Sequence, residues 1–268
     1  MYLVFDIGGT NTRLAASSDG KTLGDVKSIS TPKDFDQGIT IIKKTADELT
    51  GGEKIESVAG GVAGPLDKNK TMLVSSPHIG GWVNKPFKKE LEKVFNAKVY
   101  LENDASLAAL GEAIFGAGQG KKIVAYLTIS TGVGGGRVVN GKIDDKALGF
   151  EPGHQIIIPD GNPCNCGGKG HLEAYIGGAY RKGDFSLENW DEIAKYLAIG
   201  LNNVAVFWSP DIIVLGGSVM QSIKLDKLKA YLKEVLTIFP NQPEITLSKL
   251  GYSAGLYGAM EYLHQNIT

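Results

Sequence analysis

The stretch YLVFDIGGTNTRLAA, residues 2–16, decides the fold. The apolar run from Tyr2 to Ile7 ends at Gly8-Gly9-Thr10, and a second apolar stretch, Leu14 to Ala16, follows at once, which predicts a strand, a glycine turn and a second strand. Glycines expose backbone N–H groups, hydroxyls can donate to phosphate oxygens, and Asp6 could hold Mg²⁺ through water. Taken alone, the stretch fits either a phosphate-binding turn or a tight hairpin with Asp6 as a turn carboxylate.

A second unit of the same kind lies near the middle of the chain. The apolar run at 126–129 ends in Ser130-Thr131-Gly132-Val133-Gly134-Gly135-Gly136, and the apolar stretch 137–139 follows. Two such units suggest duplicated halves that face one cleft, with paired turns that could clamp both ends of a triphosphate. Coincidence in a glycine-rich chain is the alternative.

The rest of the chain alternates short apolar strands with helical patterns, which indicates an α/β fold. Strands are predicted at 57–62, 99–101, 123–129 and 211–215. One helix is predicted over 37–49. Another is expected to open at Asn189, with Glu192 at capping-box spacing, and to end before Pro210.

Composition excludes several classes of protein. The 28 basic and 29 acidic side chains give a net charge of −1, which argues against a nucleic-acid partner. No apolar run reaches the roughly 18 residues of a membrane span, and the first residues lack a secretory signal, so no membrane partner and a cytoplasmic location are expected. Glycine, 36 of 268 residues, is in excess and suggests turns that approach a ligand closely.

Two common nucleotide-binding signatures are missing. The segment 116–122 has the wrong glycine spacing for a P-loop and carries Lys where Ser or Thr belongs. The segment 132–137 likewise departs from the Rossmann pattern G-x-G-x-x-G. Any phosphates must therefore be bound by turns of another geometry.

Asp104 follows a predicted strand and opens an Ala- and Leu-rich segment, in Leu101-Glu102-Asn103-Asp104-Ala105. Asp is common as a helix N-cap, and the local sequence favours that interpretation. The functional alternative is a general base at the carboxyl end of the strand, where α/β folds place their ligands.

A cluster of metal-ligand residue types lies further along. His154, Cys164, Cys166 and His171 are all donors that suit tetrahedral Zn²⁺, and the cysteines stand too close in sequence for easy disulfide geometry. Zinc is the favoured interpretation, against a glycine-rich loop whose thiols bind nothing. Glu151 and Glu173 flank the cluster and would be free to accept hydrogen bonds from hydroxyl groups.

Five segments, in order, resemble motifs of the ROK family of repressors and sugar kinases. They are Asp6–Thr10, Asn103–Ala105, Ser130–Gly136, Glu151-x-Gly153-His154 and Cys164-x-Cys166-Gly167-x-x-Gly170. The resemblance implies a two-domain actin-like ATPase (ribonuclease H-like) fold, with duplicated mixed-sheet halves around a central cleft. We expect one domain to comprise residues 1–115 with 253–268, and the other residues 116–252.

The resemblance also implies roles for individual residues. Asp104 would be the catalytic base. The sugar would be bound by Asn103, Asp104, Glu151, His154 and Glu173, with Gly64 and Asn84 in segments near the sugar cleft. ATP with Mg²⁺ would be held by Asp6, Gly8, Gly9, Thr10, Asn11, Thr12, Thr131, Gly132, Gly134, Gly216 and Gly217. His154, Cys164, Cys166 and His171 would bind a structural zinc ion.

The sequence departs from the family pattern at His171, where a third cysteine is usual. The donor set becomes Cys₂His₂, which still suits zinc, although the loop must fit an imidazole. We expect an ATP-dependent kinase that phosphorylates a hexose, most simply glucose, at its primary hydroxyl. The alternatives are another substrate, such as an N-acetylhexosamine or fructose, and a sugar-sensing regulator. The repressors of the family carry an N-terminal helix-turn-helix domain, and we do not expect one here because the first predicted strand starts at residue 2. A homodimer is expected by analogy.

Overall fold

Two five-stranded sheets form the framework of the computed structural model, which describes residues 1–76, 79–180 and 187–267. The first sheet has the strand order β3-β2-β1-β4-β5. Its strands are β1 (Tyr2–Ile7), β2 (Asn11–Ser17), β3 (Val26–Ser30), β4 (Ser57–Val62) and β5 (Lys98–Asn103). The β1–β2 and β2–β3 pairs are antiparallel, whereas β4 and β5 add in parallel, so the sheet is mixed.

The second sheet repeats this arrangement, in the order β10-β9-β6-β7-β8. Its strands are β6 (Ile123–Ile129), β7 (Val133–Val139), β8 (Lys142–Ile143), β9 (Ile212–Gly216) and β10 (Glu244–Leu247). An antiparallel hairpin again precedes two parallel strands. The duplication predicted from the two glycine turns is therefore confirmed.

Seven α-helices cover the sheets in the described ranges, and none of them is long and apolar enough to cross a membrane. They are α1 (Phe35–Thr50), α2 (Phe87–Phe95), α3 (Asp104–Phe115), α4 (Glu173–Ile176), α5 (Leu187–Trp208), α6 (Leu225–Val235) and α7 (Ala254–Ile267). Helices α1 and α2 pack on the first sheet, and α5 and α6 on the second. Helix α3 packs against both sheets, with α7 beside it on the first.

The predicted helix ends were partly wrong. Helix α1 extends slightly beyond 37–49, because the Asp34 side chain caps it at 2.9 Å from the Gln37 amide. Helix α5 begins at Leu187, so Asn189 lies inside the helix and is not its N-cap. The apolar pattern defines the body of a helix, but polar residues ahead of it can be a cap or a first turn. Helix α5 ends before Pro210, as predicted.

Glycines bring α3 into backbone contact with three neighbouring elements. A Cβ added at Gly61 of β4 or Gly136 of β7 would lie 2.9 or 2.8 Å from a Cα atom of α3. A Cβ at Gly258 of α7 would lie only 1.7 Å from the Leu107 carbonyl oxygen. Real Cβ atoms do not approach so closely, so these positions admit no side chain without movement of the helix. Part of the glycine excess therefore serves helix packing.

Gly258→Ala should destabilise the protein. The added methyl group forces α7 away from α3, and overpacking of this kind costs about 1–3 kcal/mol or more. The free energy of unfolding, measured in urea, checks this. Gly80→Ala is the matched control, because a Cβ there meets nothing within 4 Å, and it should change stability by less than about 0.5 kcal/mol. Equal stability of the two variants would contradict the packing argument.

Candidate active site

Two adjoining cavities open at the carboxyl ends of the parallel strands in both sheets, where α/β folds bind ligands. The glycine-turn cavity, about 510 Å³, is lined by Asp6, both hairpin turns and Gly216-Gly217. The carboxylate cavity, about 540 Å³, is lined by Asp104, Glu151 and Glu173. The lining residues common to both are Gly8, Gly9, Thr10, Asp104, Ala105, Thr128, Ser130 and Thr131. Asp104 therefore stands where the two cavities join.

Most residues predicted to bind the nucleotide line the glycine-turn cavity. They are Asp6, Gly8, Gly9, Thr10, Asn11, Thr131, Gly216 and Gly217. Gly132 and Gly134 line the carboxylate cavity instead. The second turn thus reaches both cavities, and Thr131 lies at the crossing point.

Thr12 lines neither cavity. Its side chain is buried, and its Oγ1 lies 2.9 Å from Thr31 Oγ1, which in turn donates to the Gly8 carbonyl at 2.8 Å. Because the Thr31 hydroxyl donates its hydrogen to the Gly8 carbonyl, Thr12 must be the donor in the hydrogen bond between the two threonines. This chain of hydroxyl groups holds the glycine turn in shape from below.

The carboxylate cavity contains nearly all the residues predicted to bind a sugar. They are Gly64, Asn103, Asp104, Glu151, His154 and Glu173. Asn84 is not among them. It is exposed and adopts a left-handed φ of 60°, and its backbone N–H donates to the Leu73 carbonyl at 2.8 Å. Asn84 is thus accounted for as a turn residue in this structure.

The N-cap interpretation of Asp104 is wrong by one residue. Asn103 is the N-cap of α3, and its side-chain oxygen accepts from the Ser106 amide at 3.0 Å, while its Nδ2 donates to the Gly64 carbonyl at 3.3 Å. Asp104 is the first helical residue, and one of its oxygens accepts from the Ala105 amide at 2.8 Å. The helix is capped without Asp104, whose carboxylate lines both cavities.

Burial dominates the electrostatics of three carboxylates. It raises the pKa of Asp104 to about 6, against the lowering effect of hydrogen bonds from the backbone. It raises the pKa of Asp6 to about 7, with the Asp104 charge adding to the shift. The pKa of Glu151 is likewise raised to about 7 by burial and by the charges of Asp104 and Glu173. Elevated carboxylate pKa values grouped in a cleft are typical of functional sites.

The sequence analysis missed several residues of the glycine-turn cavity. Arg13, Tyr126, Gln221 and Tyr252 all line it. For Arg13 a signal existed, because opposed residues of a hairpin project to the same face, and Arg13 pairs with Asp6 across β1 and β2. Gln221 and Tyr252 lie in short 3-10 helices that follow β9 and β10, and no local pattern marks them.

Four donor residues converge beside the carboxylate cavity. The ligand atoms of His154, Cys164, Cys166 and His171 all lie within 4.8 Å of one another. The distances are 3.8 Å from Cys164 Sγ to His154 Nδ1 and 3.2 Å from Cys166 Sγ to His171 Nδ1. Zinc bonds of about 2.0–2.3 Å in a tetrahedron place donors roughly 3.3–3.8 Å apart, and the two Cys–His distances are close to that range.

The imidazole that replaces the usual third cysteine has room at this site. A Cβ at Gly168 would lie 2.5 Å from His171 Cε1, so the absence of a side chain at Gly168 makes space for the ring. The histidine and the glycine are thus matched. A zinc ion here would brace the loops that carry Glu151 and Cys166.

The purified protein should contain about one zinc ion per chain, because four neutral or anionic donors converge. Cys166→Ser should lower the zinc content, measured by elemental analysis, and should weaken sugar affinity through the loop that it braces. Lys169→Ala, on the same loop and exposed, is the control and should retain the ion. Metal-free protein with full sugar affinity would contradict the zinc prediction.

Asp104→Asn should be more stable than the wild type at pH 7.5. The raised pKa of Asp104, about 6, means that the folded wild type loses stability as pH rises from about 4 through 6, because a buried carboxylate must ionise. Asparagine carries no charge, so the gain at pH 7.5 should be on the order of 1–3 kcal/mol and should vanish towards pH 4. The free energy of unfolding of both proteins, measured at pH 7.5 and pH 4, checks this gain. A less stable variant at pH 7.5 would contradict the burial argument.

Comparison with known proteins agrees with this geometry. The model of the ROK family matches residues 2–180 and 179–266. A glucokinase of Thermotoga maritima is 29% identical over an alignment of 309 positions, gaps included, which covers 98% of this chain and 96% of that protein. The crystal structure of a ROK family glucokinase from Streptomyces griseus, in complex with glucose and AMPPNP, superposes with a TM-score of 0.85 at 27% identity. The match covers 98% of this chain and 99% of that one.

A regulator is also similar to this chain. The xylose repressor of Bacillus spizizenii is 30% identical over 225 residues, which cover 74% of this chain and 58% of the repressor. The framework of sheets and cleft is therefore shared by kinases and repressors. The side chains in the cleft must distinguish them.

Proposed function

Because this chain belongs to the ROK family, we propose that it is an ATP-dependent hexose kinase, which transfers the terminal phosphoryl group of ATP to the primary hydroxyl of glucose. The family also accounts for the actin-like ATPase fold with two duplicated sheets. The observation that carries the proposal is the position of Asp104 at the junction of the two cavities. A base at that junction can meet an acceptor from one side and a phosphoryl donor from the other.

The glycine-turn cavity is proposed to bind ATP. Its two turns supply backbone N–H groups and the hydroxyls of Thr10 and Thr131, which suit phosphate oxygens. The Streptomyces griseus glucokinase complex, which contains an ATP analogue, supports this assignment. The cavity also includes Gly216-Gly217 at the end of β9, where the nucleoside would lie.

Asp6 is suited to hold the magnesium ion that accompanies ATP. Its carboxylate is largely buried, and it accepts no hydrogen bond from any residue that the structure describes. A carboxylate oxygen of this kind is a normal ligand for Mg²⁺, directly or through water. When bound, the ion would neutralise charge on the phosphate oxygens.

The carboxylate cavity is proposed to bind the sugar. Glu151 and Glu173 offer charged acceptors to sugar hydroxyls, and Asn103 and His154 add polar contacts. One oxygen of Glu173 accepts the Val133 amide at 2.8 Å, which ties this carboxylate to the first residue of β7. Glu173 is thereby oriented before any sugar arrives.

Asp104 is proposed to act as the general base. With its pKa raised to about 6, Asp104 is largely ionised at neutral pH yet basic enough to take a proton. It would accept the proton of the sugar's primary hydroxyl as that oxygen attacks the terminal phosphorus in line. Water is the competing nucleophile at the terminal phosphorus and must be excluded, and closure of the cleft around the sugar would achieve this.

Glucose and ATP should give ADP and a phosphorylated sugar, and Asp104→Asn should reduce turnover at least about 100-fold. The rate with wild-type protein should fall as pH drops through about 6, the pKa of Asp104, because protonation removes the base. A coupled ADP-release assay over about a dozen sugars measures this. Asp36→Asn, an exposed residue of α1, is the control and should retain full activity.

Different outcomes of that assay separate the alternatives. Turnover of an N-acetylhexosamine or fructose in place of glucose would keep the kinase and change its substrate. Retained turnover in a folded Asp104→Asn variant would remove Asp104 from the mechanism. Nucleotide binding with no turnover of any sugar would contradict the kinase proposal and favour a sugar-sensing regulator.

A further inference from the structure

Arg13 lies in the glycine-turn cavity, and no role in the proposed mechanism has been given to it. It stands on β2 directly opposite Asp6 of β1. Side chains alternate along a strand, and the neighbouring Thr12 and Leu14 project into the fold on the other face, Leu14 into the core beneath α1. Arg13 is thereby directed to the cavity side of the sheet, where it forms part of the lining.

The guanidinium of Arg13 has hydrogen-bonding capacity that the protein does not use. Its ion-pair partner is Asp6, with Nη1 to Oδ2 at 3.8 Å, too far for a hydrogen bond. Its central carbon lies 5.2 Å from the centre of the Tyr252 ring. Within the described part of the chain it donates no hydrogen bond, although its side chain is only 22% exposed. A guanidinium carries five N–H donors, and leaving them unpaired at such burial is costly.

The charged side chains that line the cleft around Arg13 are mostly negative. The described residues that line the two cavities include one arginine, no lysine, and the four carboxylates Asp6, Asp104, Glu151 and Glu173. Such a lining repels a polyphosphate unless cations compensate. Lys33 donates to the Gly9 carbonyl at 3.0 Å, but it is not among the lining residues. Arg13 therefore supplies the fixed positive charge inside the cleft.

We propose that Arg13 binds the phosphate chain of the nucleotide, donating from its planar fork to two phosphate oxygens beyond the α-phosphate. A guanidinium suits this task because its parallel N–H groups match the spacing of phosphate oxygens. The Tyr252 ring lies against the guanidinium, and this cation–π contact would hold the group in place while its N–H groups meet the ligand. The choice of a nucleotide as ligand rests on the proposed kinase function.

Binding measurements test this role without any need for phosphoryl transfer. Calorimetric titration with ADP, ATP and adenosine, each with Mg²⁺, should be made on the wild type, Arg13→Met and Arg13→Lys. We expect Arg13→Met to weaken ADP and ATP at least tenfold and to leave adenosine affinity unchanged. Arg13→Lys should recover part of the loss, because it keeps the charge but not the fork. Lys27→Met, which removes an exposed cation of the same sheet paired with Glu48, should bind like the wild type.

Two results would overturn the proposal. One is an Arg13→Met variant with unchanged affinity for ADP and ATP. The other is an equal loss for adenosine and ADP, which would mean that Arg13 only maintains the shape of the site. Failure of the kinase proposal looks different, because wild-type protein would then bind ATP through Arg13 yet phosphorylate no sugar.

Discussion

The backbone contact between α3 and its glycine neighbours is the constraint on which the site depends. Gly61, Gly136 and Gly258 come from three different elements, and each lies closer to the backbone of α3 than any side chain would allow. The first turn of the helix is therefore held between the two sheets. Since Asp104 is the first residue of that helix, its carboxylate is placed at the boundary of both cavities and can face two ligands at once.

Burying carboxylates in the cleft costs folding free energy when they ionise, and the ligands proposed for the cleft explain why that cost is tolerated. Asp6, Asp104 and Glu151 are buried with raised pKa values, so each disfavours its charged form in the absence of a ligand. Hydroxyl groups, a metal ion and phosphate-bound cations would relieve that cost. A cleft of this kind is less stable when empty and is prepared for ligands that carry protons to donate or charge to balance, as expected where stability and activity oppose each other.

The sequence was informative wherever a local pattern had a local cause. Apolar runs bounded by glycine predicted β1, β4 and β6 to the residue, and the repeated turn predicted the duplicated sheets. Chemistry set by a neighbour was harder to predict. Asn103 rather than Asp104 caps α3, because Gly64 and Ser106 both bond to it. Thr12 lies in β2 and supports the glycine turn, and Asn84 is a turn residue outside the cleft. Arg13 was overlooked because its importance comes from the carboxylates that the fold gathers around it.

The most direct test of this account is a crystal structure of the protein with glucose and a non-hydrolysable ATP analogue. The account predicts the sugar in the carboxylate cavity and the triphosphate in the glycine-turn cavity. The primary hydroxyl should lie within hydrogen-bond distance of the Asp104 carboxylate and in line with the terminal phosphorus. A structure in which both ligands are bound but Asp104 contacts no sugar hydroxyl, or in which the triphosphate lies away from the two glycine turns, would contradict it.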